Sequence, residues 1–175
     1  RRAIGVRTAQ GELRADAVVM NADFAHGMSK LVPNARRRRW SDANLAKKDY
    51  SCSTFMLYLG VEGRLDQLAH HNIYVTKDYR RNLDEIERLH VLSEDPSFYV
   101  ENPVRTDATM APPGHSALYV LLPVTHLHPN VDWTKERARY RDLALRQLTK
   151  IGLPSDLEQR IRFERVVTPA DWERK

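Results

Sequence analysis

Ser51-Cys52-Ser53-Thr54-Phe55-Met56-Leu57-Tyr58-Leu59-Gly60-Val61 is the stretch whose reading decides the fold. It is rich in Thr, Phe, Tyr and Val, residues that suit a pleated, half-buried surface, and it predicts a strand. Successive side chains of a strand leave from opposite faces. One face carries Ser53, Phe55, Leu57 and Leu59, the other Cys52, Thr54, Met56 and Tyr58. Neither set is charged, so both faces are expected to be covered.

Downstream, Ala117 to Val124 is a second run that is apolar on both faces and predicts another central strand. Shorter strands are expected over Asn72 to Thr76 and Ser97 to Glu101, and a Pro- and Gly-containing loop over Asn102 to His115. Leu83, Ile86 and Leu89 are spaced by three, which predicts an amphipathic helix from Tyr79 to Val91. Trp133 to Ile151 predicts the longest helix, closed by Gly152. Ser155 to Glu158 is a capping-box pattern opening a short helix, Ile161 to Val167 a last strand, and Thr168-Pro169 a further helix start.

Upstream, Ala3 to Thr8 and Glu12 to Asp16 flank a Gln10-Gly11 turn. Ala17-Val18-Val19-Met20 predicts a strand buried on both faces, followed by a helix near Phe24 with Asn21 or Asp23 as its cap. Leu31 to Asn34 stops that helix, and Arg36 to Asp49 predicts a basic one. The expected class is therefore α+β, a mixed and mainly antiparallel sheet with helices packed on it.

At 175 residues, with 42% hydrophobic and 29% charged residues, the chain can build one proper core. Its longest uninterrupted apolar run, Ala117 to Val124, is far short of the ~20 residues a spanning helix needs. One cysteine, Cys52, excludes an internal disulfide framework and fits a reducing cytosol. The net charge of +5 favours anionic partners. The chain opens at Arg1 without Met, inside an expected strand, and is taken to be a piece of something longer.

The seven glycines fit neither G-x-G-x-x-G nor the P-loop pattern, so no phosphate cradle of those kinds is written here. His70-His71 and His126-x-His128 lack the Cys or third His that zinc spacing requires and are expected on surfaces or loops, with no metal site. Cys52 has no nucleophile signature around it and is expected to be a small core residue. Ser51 and Ser116 have no G-x-S-x-G elbow, which weighs against a hydrolase. Arg36-Arg37-Arg38-Arg39-Trp40 is either a solvated face or a patch for an acidic membrane surface with Trp40 at headgroup level. Without a recognition helix or an aromatic RNA platform, nucleic acid is not an expected partner.

Several segments together resemble the bacterial phytoene desaturase family. They are Gly5 to Thr8 with Ala15-Asp16-Ala17-Val18-Val19-Met20-Asn21-Ala22-Asp23, the Tyr50 to Gly60 strand, Asp66 to His71, Tyr79-Arg80 and Asp84 to Ile86. Thr106-Asp107, Ala111-Pro112-x-Gly114, Tyr119 to Leu121, Pro123-Val124-x-His126-Leu127 and Thr168-Pro169-x-Asp171 continue the match in order. The resemblance covers essentially the whole chain.

It implies a FAD-dependent dehydrogenase acting on phytoene, a long polyene, in carotenoid biosynthesis. The expected location is cytoplasmic, peripheral to the acidic inner-membrane surface. Residues 1–23 are then a remnant of the flavin domain, 24–165 the substrate domain and 166–175 the return towards the flavin domain, with the remaining flavin-binding segments supplied elsewhere in the same chain. The piece alone is expected to be inactive. The site residues implied are Arg80 as a catalytic, substrate-site cation, Phe55, Leu57, Tyr58 and Tyr119 as substrate-binding side chains, and Asn21, Ala22 and Asp23 as cofactor contacts. A related carotenoid desaturase or isomerase, or a non-enzymatic basic module at membranes, are the alternative readings.

Overall fold

The computed structural model describes residues 2–174, and the chain divides into two compact units, Arg1–Asp49 and Tyr50–Lys175. Arg1 and Lys175, the outer ends of the two expected flavin-domain stretches, lie outside the described residues.

In the first unit β1 (Gly5–Thr8) and β2 (Gly11–Arg14) form an antiparallel hairpin with Thr8 opposite Gly11. Helix α1 (Phe24–Leu31) begins where the Asp23 carboxylate accepts the His26 N–H at 2.8 Å. Two expectations are corrected here. Ala17 to Met20 forms no strand: among the described residues no strand pairs with it, and Val19 is 90% exposed. An apolar run needs partners for its backbone and cover for both faces, and neither is present. Arg36 to Asp49 is not one helix. It forms 3₁₀ turns at Asn34–Arg36 and Arg38–Trp40, then the short α2 (Asp42–Leu45). Arg38 takes a left-handed φ of 44°, which breaks the helical path, and Ser41 restarts it as a cap. Arg37 does not join a solvated face; its buried guanidinium donates to Asp42 at 2.6 Å.

The second unit holds a five-stranded antiparallel sheet of β3 (Ser53–Glu62), β4 (His71–Tyr74), β5 (Phe98–Glu101), β6 (His115–Val124) and β7 (Ile161–Val167). The spatial order is β4-β5-β6-β3-β7, so the stretch that opened the sequence reading lies inside the sheet. Because β6 and β7 both run antiparallel to β3, they are parallel to one another. Helix α4 (Trp133–Gln147) joins them as a crossover.

Helix α4 starts with the Asp132 carboxylate capping Thr134 at 3.0 Å and runs into a 3₁₀ turn, Leu148–Ile151. Gly152 ends it at φ 86°, a left-handed position that suits glycine. Trp133, Tyr140, Leu143, Ala144 and Leu148 fall on one side of the helix, Tyr140 two turns after Trp133 and the rest at three- and four-residue spacings from Tyr140 or Ala144, and are buried. They meet one face of the sheet: the Phe55 ring stacks on Trp133 at 5.7 Å and meets Tyr140 edge-on at 5.2 Å. Phe55, Leu57, Leu59 and Val61 of β3 and Leu118, Val120, Leu122 and Val124 of β6 complete this core. At its margin Arg141 of α4 makes a two-pronged ion pair with Glu164 of β7, at 2.8 and 2.7 Å.

Helix α3 (Tyr79–Asp84) continues as a π-helical turn, Glu85–Leu89, and ends at His90 in the left-handed region. Helix α5 (Pro169–Glu173) carries the capping box expected from Thr168-Pro169. Among the described residues, no helix is long and apolar enough to cross a membrane.

Candidate functional site

On the sheet face away from α4, the register places Gly60 between Ala117 of β6 and Phe163 of β7. Neither glycine nor alanine raises a large side chain, so the sheet is bare at that point. Tyr58 and Tyr119, the next cross-strand pair, stand beside it with rings edge-on at 5.4 Å. Phe163, 60% exposed, forms the opposite wall. The loop after β5 folds over as two 3₁₀ turns, Pro103–Arg105 and Ala108–Met110, and adds Pro103, Met110 and Pro112. Together they enclose a cleft of about 590 Å³ whose lining is almost wholly apolar.

The polar groups at this cleft are already engaged or neutral. Glu101 meets the ring of His70 at 3.2 Å, and His70 also bonds the Thr106 hydroxyl at 2.6 Å. His115 donates from Nδ1 to the Pro113 carbonyl at 3.0 Å. Arg162 is held in an ion pair with Glu62. Burial, then the nearby Tyr58 and Glu101, push the Tyr119 phenol above its ordinary pKa, so it stays protonated and uncharged at neutral pH. Burial and the Glu101 charge do the same to Tyr99, whose hydroxyl bonds His71 at 2.7 Å. Tyr99 meets Tyr119 edge-on at 6.0 Å, extending the aromatic row from the cleft to the β4 edge.

The residues singled out from sequence fall in different places. Tyr58 and Tyr119 line the cleft. Phe55 and Leu57 are fully enclosed on the α4 face and do not meet them. Arg80 is exposed in the first turn of α3 and is not part of the lining. Asn21, Ala22 and Asp23 are exposed in the first unit, where Asp23 is occupied as a helix cap. Sequence reasoning did not pick out Gly60, Ala117, Phe163 or the Pro103–Met110 wall. A glycine inside a strand was the available signal, since it marks a bulge or a close approach. A register shift does fall between Gly60 and Val61 on the β7 side. Cys52 is a free, partly buried thiol.

The histidines gather in two groups. His70 and His71 serve the β4–β5 edge as above, while His90, His126 and His128 cluster beside the end of β6, the first stacked on the last at 4.3 Å. Among the described residues, no group of three or more His, Cys, Asp or Glu side chains is arranged to hold a metal ion.

Fold and cleft define an α+β domain whose central antiparallel sheet is packed by helix α4 on one face and hollowed into an apolar cleft on the other. No family model matches the chain. Individual proteins do. The chain is 42% identical over 171 residues to a 4,4'-diapophytoene desaturase (4,4'-diapolycopene-forming) of Methylomonas sp, covering 97% of this chain and 33% of that protein. It is 45% identical over 175 residues to an all-trans-zeta-carotene desaturase of Myxococcus xanthus, covering 98% and 33%. A lycopene-forming phytoene desaturase of Paracoccus sp. is 37% identical, covering 98% and 34%. The chain is thus similar over nearly its whole length to carotenoid desaturases, and it spans about a third of the length of the curated relatives it matches.

Proposed function

We propose that this chain is the substrate-binding part of a FAD-dependent carotenoid desaturase that introduces double bonds into phytoene or a closely related polyene. The observation that carries the reading is an apolar cleft on the second face of the sheet, in a chain collinear with proteins named for acting on such hydrocarbons. A polyene offers almost no hydrogen-bonding handles, so its recognition has to come from an apolar, shape-matched lining. The uncharged phenol of Tyr119 suits that task, because a charge facing hydrocarbon would have to be desolvated without recompense.

The flavin is the group that would accept the hydride. The residues here do not fit its pyrophosphate: no glycine-rich turn opens a helix, and the first turn of α1 is satisfied by the Asp23 carboxylate, which repels an anion. The cofactor is therefore proposed to be held by other parts of the protein, and no reaction step is assigned to it here. The residues described bind the chain-like substrate, orient it and exclude water. The cofactor role of Asn21, Ala22 and Asp23 and the substrate-site role of Arg80 rest on the resemblance alone.

Peripheral attachment to an acidic, cytoplasm-facing membrane is part of the same proposal. Its support is Trp40 with Arg39 over its ring at 4.7 Å and Lys48 at 5.7 Å, a cation-flanked indole suited to a headgroup layer.

The test is conversion of phytoene in liposomes by the full-length protein with FAD. Conjugated products absorbing in the visible are expected, and their absence overturns the reading. Residues 1–175 alone are expected to bind no FAD and convert nothing. Arg80→Gln in the full-length protein is expected to lower turnover without changing its melting curve; unchanged turnover removes Arg80 from the site.

A further inference from the structure

The cleft's dimensions are set by what is missing from its floor. Gly60 and Ala117 face each other across β3 and β6, and Phe163 is the partner of Gly60 on β7. A Cβ added at Gly60 would lie 3.2 Å from the Phe163 Cβ and 3.8 Å from the Phe163 nitrogen. That contact is tighter than ordinary van der Waals packing, and because the atom belongs to the root of the side chain, where no rotamer change moves it, strand β7 would have to give by a few tenths of an ångström. Gly60 thus lets β7 approach closely while leaving its own surface flat. Ala117, the partner of Gly60 on β6, adds only a methyl group to the cleft floor, next to the Tyr58–Tyr119 pair. Phe163 lies on an edge strand, mostly exposed, with its ring forming the far wall.

We propose that Gly60 and Ala117 are the specificity-determining residues of this cleft, forming a bare track on which a thin, unbranched segment of the ligand lies, and that Phe163 sets the width the track accepts. This rests on the reading of the cleft as a polyene site. A chain of near-uniform thickness fits between an aromatic pair and a single ring. A ring-ended or heavily substituted segment does not. The floor discriminates by volume, since Gly60 is paired on both sides within the sheet and neither Gly60 nor Ala117 carries a polar side chain. One methylene more or less in an apolar pocket changes discrimination by about 10–200-fold. Ala117→Leu adds three carbons to the floor without touching the α4 core on the other face.

The experiment uses full-length protein with FAD and two probes in phosphatidylcholine vesicles: phytoene, and a carotenoid carrying a cyclised end. Ala117→Leu is expected to raise KM for phytoene at least tenfold with its melting temperature unchanged. Phe163→Ala is expected to admit the ring-ended probe, which wild type excludes, and to raise KM for phytoene severalfold by loosening the wall, with its melting temperature unchanged. Because Phe163 is largely exposed, that variant folds even where Ala117→Leu fails to, so the proposal stays testable. If wild type converts phytoene while both folded variants keep its KM and its probe preference, the track assignment is wrong and the polyene reading stands. If wild type binds and converts neither probe, the polyene reading fails and this inference falls with it.

Discussion

The two faces of the central sheet are built from the same strands and yet do opposite things. Along β3, Phe55, Leu57, Leu59 and Val61 turn to α4 and are almost wholly shielded from solvent. In the alternating set Met56 is buried, but Gly60 and Tyr58 further along the strand border a cleft. Strand β6 repeats the division, with Leu118, Val120, Leu122 and Val124 enclosed and Ala117 and Tyr119 in the cleft lining. The difference lies in the covering layer. A 15-residue helix interlocks with one face, whereas the loop from Pro103 to Pro112 only partly roofs the other. One pattern of alternating apolar residues therefore stabilises on one side and recognises on the other.

Substitutions on the two faces should separate these roles. The largest effect is expected from Phe55→Ala. Removing a fully enclosed ring wedged between Trp133 and Tyr140 should cost about 3–5 kcal/mol in a urea melt. A loss no greater than that of an exposed site would erase the distinction between the faces.

A smaller loss is expected from Asp171→Asn, which loosens the link between α4 and the end of β7. Burial raises the Asp171 carboxyl, but the Thr168 backbone N–H and hydroxyl, then Arg174 and Arg137, outweigh it and hold the group well below the usual carboxylate range. A depressed carboxyl stabilises the fold above its unfolded pKa, near 4, and that contribution is lost as pH falls towards the folded value. Asp171→Asn should then lose roughly 1.5–2 kcal/mol at pH 7 and titrate less steeply below pH 4. Parallel stability curves for the two proteins across that acid range would remove Asp171 as the titrating group.

Tyr58→Ala is expected to cost only about 1 kcal/mol, since its side chain is half-buried, yet to impair polyene conversion more than Phe55→Leu does. Equal stability losses at positions 55 and 58 would merge the faces. The smallest effect is expected from Tyr140→Phe. The Tyr140 hydroxyl is buried with no hydrogen-bond partner among the described residues, so its removal should leave the denaturation midpoint within about 0.5 kcal/mol or raise it. A clear drop would point to a bound water holding the hydroxyl.

Much of the sheet was legible because strand formation leaves a local mark. The β-prone, uncharged runs over Ser51 to Val61 and Ala117 to Val124, and the Thr168-Pro169-x-Asp171 cap, depend on neighbours only a few residues away. The misread segments failed for want of local information. Ala17 to Met20 has the composition of a buried strand, but a strand exists only where another backbone pairs with it. Arg36 to Asp49 looked helical until Arg38 adopted a left-handed φ and Arg37 turned inward to Asp42. The choice between Phe55 and Tyr58 as cleft residues lay beyond sequence, because alternation reports that two faces exist and not which one a helix will cover.

The sequence by itself determined an α+β chain similar over nearly its whole length to carotenoid desaturases, with two apolar strands and a long capped helix. Those features follow from periodicity, capping and side-chain chemistry, all carried by residues close together in the chain. Only the tertiary structure decided that α4 occupies one face, that Gly60, Ala117 and Phe163 meet on the other, and that the Pro103–Met110 loop roofs them. Pro103, Ala117 and Phe163 lie 43 to 103 positions from Gly60, and such juxtaposition is fixed by strand register, which no local pattern encodes.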